Sequence, residues 1–139
     1  MGKKVKVVFD TNTWVSIFMK KILNDEFSRA KQKLTVYISK DIILEISKVL
    51  LYPKIAKILR NTDTNAKEIL RALKANSATI KPKVKLQIIE EDTEDNKILE
   101  CALAAGADII VSGDKHLLKL GKFRKTRILT AREFFDYIN

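Results

Sequence analysis

The chain is 139 residues long, 46 % apolar and 32 % charged, with four glycines and two prolines, which is enough for one hydrophobic core and too little for two. Its 27 Lys and Arg stand against 17 Asp and Glu, a formal charge of +10 that attracts polyanions at long range and suits nucleic acid better than a small neutral substrate. No apolar run is long enough to span a membrane, and the lone Cys101 excludes an internal disulfide and fits a reducing cytoplasm.

The opening Lys3-Lys4-Val5 is basic then apolar, as at the start of a signal peptide, but the apolar part stops after a few residues at Asp10 and reads as a first strand. An acid just past the last apolar residue of a buried strand sits at the carboxyl edge of a sheet, where open α/β sheets place their ligands. Residues 13–19, with Trp14, Val15, Ile17 and Phe18, predict a buried helix capped by Thr11 or Asn12. A helix with a basic face is expected over 24–33, then an alternating strand over 34–39. Ser39 caps a helix reaching about Leu51, Pro53 restarts one over 54–60, and another spans 65–76. These middle helices are expected to form a cap or a dimer surface beside the sheet.

Residues 79–89 are extended and broken by Pro82, with one strand expected over 86–89. Five acids in the seven residues 90–96 lead into a helix over 97–105, which Gly106 caps. A strand over 109–112 then runs into Asp114, repeating the opening arrangement. A short helix over 115–120, a strand over 127–129 and a final helix with a Thr130/Glu133 capping box complete the chain. Alternating strands and helices predict one α/β domain over 1–139, with a mostly parallel sheet covered on both faces.

Most of the acids read as solvated. Four are placed where a carboxylate is costly or where ligands bind. Asp10 and Asp114 end adjacent-looking strands. Glu45 shares the apolar stripe of its helix with Ile46 and Val49, and Asp95 precedes Ile98, Leu99 and Ala102 at inward spacings. Each has a plain structural role open to it as well: helix capping for Asp10 and Asp114, a favourable helix dipole for Asp95, and a stripe-edge position for Glu45. Brought together, four carboxylates would repel one another unless divalent cations neutralised them. Oxygen donors with a single histidine, His116, suit Mg²⁺ or Mn²⁺ and disfavour zinc. There is no glycine-rich phosphate loop, Gly-x-Ser-x-Gly or Cys-x-x-Cys.

Four segments, Val-Val-Phe-Asp10-Thr-Asn, Ile-Leu-Glu45-Ile-Ser-Lys-Val-Leu, Asp92-Thr-Glu-Asp95-Asn-Lys-Ile-Leu and Ile-Val-Ser-Gly-Asp114-Lys-His, resemble in order the four motifs of PIN-domain proteins. The likeness covers nearly the whole chain and is nearest to single-domain prokaryotic toxin components of toxin–antitoxin pairs. It implies a Rossmann-like three-layer α/β/α sandwich and a Mg²⁺- or Mn²⁺-dependent ribonuclease with Asp10, Glu45, Asp95 and Asp114 as metal-holding, catalytic acids. Asn12 and Ser112 match supporting positions of the family. Asp92 and Asp95 both align with the third acid; only Asp95 falls on the inward stripe, and Asn96 stands where relatives often carry another acid. The resemblance also implies an RNA substrate, a homodimer and an antitoxin protein partner; among the chain's own basic residues, Lys115, Lys119 and the middle helices are candidate contacts to the RNA backbone. Two rival readings are a non-catalytic PIN-type module that binds RNA or protein, and an aspartyl-phosphate phosphotransferase, which usually has an acid where this chain has Asn12.

Overall fold

Val7, Val8 and Phe9, the last three residues of β1 (Val5–Phe9), are apolar and fully buried, so this strand is covered on both faces. A strand of that kind needs parallel neighbours and helices above and below it. The computed structural model, which describes residues 3–90 and 93–139, has both. β1 pairs in parallel with β2 (Leu34–Ile38) on one side and β4 (Ile109–Val111) on the other. The two-residue β3 (Ala78–Thr79) continues the sheet beyond β2, and β6 (Thr126–Leu129) continues it beyond β4. β5 (Lys122–Phe123) closes the far edge and is, among the described residues, the one antiparallel strand, giving the order β3-β2-β1-β4-β6-β5. The result is the α/β/α sandwich with a mostly parallel sheet that the sequence predicts.

Phe9 organises one face. Trp14 of α1 (Thr11–Met19), Phe27 of α2 (Lys21–Ala30) and Phe134 of α8 (Ala131–Ile138) meet its ring edge-on at centroid distances of 5.0 to 5.9 Å. Buried Glu26 accepts hydrogen bonds from both terminal nitrogens of Arg132, which ties α2 to α8. α6 (Thr93–Ala105) packs along β1, β2 and β4, and α3 (Lys40–Leu50) lies against α1 and α6. Leu59 of α4 (Pro53–Arg60) and Ile69 and Leu73 of α5 (Ala66–Ala75) join the same buried cluster as the sheet, so these helices extend the core and do not form a separate cap. Cys101 is buried among apolar neighbours, which pushes its thiol up to about 12, so it fills space and stays unreactive. Among the described residues no helix is long and apolar enough to cross a membrane.

The structure departs from expectation at further places, the short strands β3 and β5 among them. α1 begins at Thr11 because Asp10, and neither Thr11 nor Asn12, caps it. α2 runs from Lys21 to Ala30 and ends in a 3-10 turn, Lys31–Lys33, several residues earlier than expected. The strand expected over 86–89 is absent because α6 side chains satisfy that backbone. Glu100 accepts the Leu86 N–H (2.9 Å), and Asn96 Oδ1 accepts those of Ile88 (3.0 Å) and Ile89 (2.9 Å). α6 itself starts at Thr93 and not at Lys97, so part of the acidic run is helical. Its end is as expected: Gly106, at φ 61°, forms a Schellman turn in which the Ala107 N–H reaches Ala102 O (2.9 Å).

Candidate functional site

The strand order reverses direction at β1, with β2 on one side and β4 on the other, and such a switch point opens a crevice at the carboxyl ends of the strands. Register places the two strand-end acids there. Phe9 pairs with Val111, and the Asp10 N–H continues the ladder to Val111 O at 3.1 Å, so Asp10 and Ser112 emerge side by side. α7 (Lys115–Leu120) then starts at Asp114.

Both acids cap the helices that follow them. Asp10 Oδ1 accepts the Thr13 N–H (2.8 Å), and Asp114 Oδ1 accepts those of His116 (2.8 Å) and Leu117 (3.3 Å). The fully buried Ser112 links the pair: its hydroxyl donates to Asp10 Oδ2, and its oxygen accepts the Asp114 N–H at 2.9 Å. Asp10 is only 6 % exposed. Burial pushes its carboxyl above the usual range, the bonds from Ser112 and Thr13 pull it back, and the charge of Asp114 adds to the upward push.

Two helices complete the arrangement. α3 supplies Glu45, half-buried, and the first turn of α6 supplies Asp95, 7 % exposed. Asp10, Glu45, Asp95 and Asp114 line one cleft of about 60 Å³, which Thr11, Asn12, Glu94 and Ile98 complete. A space of that size holds a few waters or a small hydrated ion and cannot hold a nucleotide. The donors are all oxygen and mostly anionic, a set that fits a hard divalent cation. Among the described residues, however, no three acidic, histidine or cysteine side chains stand close enough to form a ready-made cage.

The four acids separated in sequence therefore share one cleft, with Asn12 at its edge and Ser112 beneath Asp10. Lys115 and Lys119 are exposed on α7 and lie outside the lining. Asp92, the alternative third acid, lies outside the described residues. Glu94 is the lining acid that the sequence reading misses. Starting α6 at Thr93 puts Glu94 and Asp95 four and three residues before Ile98, so the helical stripe would have found both.

A family model described as a PIN domain matches residues 6–116, a span that contains all four acids. No curated protein sequence matches the chain. In shape it is similar to the crystal structure of VapBC2 from Rickettsia felis bound to a DNA fragment from its promoter, with a TM-score of 0.60 and 14 % identity over 89 % of this chain and 97 % of that one. It is also similar to the T. brucei RRP44 PIN domain, with a TM-score of 0.51 and 14 % identity over 96 % of this chain and 80 % of that one. At such identities the structural likeness concerns the fold alone. With the family's pattern matched over most of its length and the fold in agreement, the chain belongs to the PIN domain family.

Proposed function

We propose that the protein is a metal-dependent ribonuclease that hydrolyses RNA phosphodiester bonds at the acidic cleft. The observation that carries this reading is the convergence of Asp10, Glu45, Asp95 and Asp114 on one small cleft at the switch point of the sheet. Asp10 and Asp114 would be the principal holders of Mg²⁺ or Mn²⁺, with Glu45 and Asp95 completing or orienting the set. Such an ion supplies Lewis acidity toward a phosphate oxygen and a bound water of lowered pKa. Ser112 fixes the Asp10 carboxylate in one orientation, and the two helix caps hold Asp10 and Asp114 at the strand ends. Hydrolysis adds water across the P–O3′ bond, leaving a 5′-phosphate and a 3′-hydroxyl.

The motif resemblance to single-domain toxin components and the fold likeness to VapBC2 support a role as the toxin of a toxin–antitoxin pair with an antitoxin protein as partner; a homodimer as its working form rests on the motif resemblance alone. The test is an RNA cleavage assay in Mn²⁺ and Mg²⁺ beside Asp10→Asn. Metal-dependent cleavage that EDTA and Asp10→Asn both abolish supports the reading. RNA binding without cleavage under every metal condition would leave a non-catalytic PIN-type binding module in its place.

A further inference from the structure

A cleft lined by five carboxylates repels a polyanion, so RNA needs a cationic approach close beside it. One flank of the cleft carries lysines interleaved with acids. Past Glu45 and Glu94 the cleft opens into a groove of about 330 Å³ that Lys48, Tyr52 and Lys97 line together with Asp41 and Leu44. Lys97 is steadied there by Asp41, with Nζ 3.8 Å from Oδ2. Tyr52, between α3 and α4, is 56 % exposed. Beyond Asp41 a second groove of about 660 Å³ carries Lys40, Lys81, Lys83 and Lys85. A further depression lined by Lys85 and Lys97, and also by Glu90 and Glu100, shares Lys85 with the second groove and Lys97 with the first.

We propose that this lysine-lined track is the entry path for a single RNA strand, with Lys48 and Lys97 holding the phosphates nearest the cleft and Tyr52 stacking on an unpaired base. An exposed aromatic ring beside cations is how unspecific single-strand binding is built, since any base offers a face for stacking. A paired base has both faces occupied, so Tyr52 selects for unpaired RNA. The alternating lysines at 81, 83 and 85 extend the track along the edge of the sheet past β3.

The path rests on the ribonuclease reading for what happens in the cleft, but its test reads binding alone. Fluorescein-labelled oligo(A) RNA is titrated by anisotropy in EDTA at several salt concentrations, with circular dichroism as the check on folding. In the double variant Lys48→Gln/Lys97→Gln the log–log salt slope becomes shallower by about 0.7 for each phosphate that is no longer neutralised. Tyr52→Ala weakens binding by about 5- to 100-fold, and Tyr52→Phe keeps it. Wild-type affinity and slope in the lysine variant overturn the proposal. So does a Tyr52→Phe variant as weak as Tyr52→Ala, or equal affinity and equal variant sensitivity for duplex RNA. An acidic protein partner as the true occupant would appear as unchanged RNA binding in the same variants. Failure of the nuclease reading alone looks different, because wild-type protein would then bind RNA through these residues and cleave none in Mn²⁺.

Discussion

The hydroxyl of Ser112 donates to Asp10 Oδ2 while its oxygen accepts the backbone N–H of Asp114, so one buried group couples the two strand-end acids. Because Ser112 is completely buried, water cannot replace it. In Ser112→Ala a buried carboxylate oxygen and a backbone N–H both lose their partner, at a cost of about 1–3 kcal/mol. Urea unfolding at neutral pH measures that loss. The same variant removes a bond that holds the Asp10 carboxyl down, so in the metal-free protein that carboxyl titrates at higher pH, as NMR of its side-chain carbon measures. An unchanged titration would mean that the Ser112 bond does not hold it down.

The raised carboxyl of Asp10 fixes the direction of a stability change. Between its ordinary 3.8 and its raised folded value, Asp10 binds more proton in the folded than in the unfolded chain. Stability of the metal-free protein therefore falls as pH rises through that window, and the penalty is fully present above it. Asp10→Asn removes the penalty and keeps an oxygen to cap Thr13, so the metal-free variant melts higher than wild type at neutral pH, and the gap closes toward about pH 4. On the proposed metal-dependent reading, Mn²⁺ should act oppositely, stabilising wild type by about 2.7 kcal/mol at a hundredfold excess over its dissociation constant and leaving Asp10→Asn unmoved. A wild-type melting temperature indifferent to both Mn²⁺ and Mg²⁺ would sink the metal centre.

The two acids of the α6 first turn are separable. Asp95 is nearly buried in the cleft, whereas Glu94 is exposed at its mouth. Asp95→Asn should abolish cleavage, while Glu94→Gln should act as loss of an outer partner does, lowering metal affinity roughly 10- to 100-fold and being rescued by excess Mn²⁺. Single-turnover rates across a Mn²⁺ titration measure both. The reverse ranking would make Glu94 the third acid.

How much of this the chain announces depends on how local the cause is. β1 and β4 are legible because each is an apolar run that stops on an acid; Ser39 and Thr130 with Glu133 mark helix starts by side chains that bond within a turn, and Gly106 marks a helix end by its positive φ. The dipole argument reaches Asp95, but the sequence reading starts α6 at Lys97, and leaving Glu94 outside the helix hides it. Glu26 is not legible at all, since the arginine that permits its burial is 106 residues away. The same is true of residues 86–89: their β-like composition is overruled by Asn96 and Glu100, which take the place of a neighbouring strand.

Asn96 offers the sharpest test of that substitution of side chain for strand. Its Oδ1 accepts the N–H groups of Ile88 and Ile89, and its Nδ2 donates to Ile89 O at 2.7 Å, so the position needs an acceptor and a donor at once. Aspartate supplies acceptors only. It would set a second oxygen against Ile89 O and place another charge beside Asp95 in a buried site. Asn96→Asp should therefore cost about 1–3 kcal/mol in urea unfolding. The loss should be local in hydrogen exchange, with the Ile88 and Ile89 amides losing protection while Val7 and Val8 of β1 keep theirs. Equal protection at Ile88 in both proteins would mean that the side-chain bonds do not hold the segment, and that packing of Ile89 into the core does.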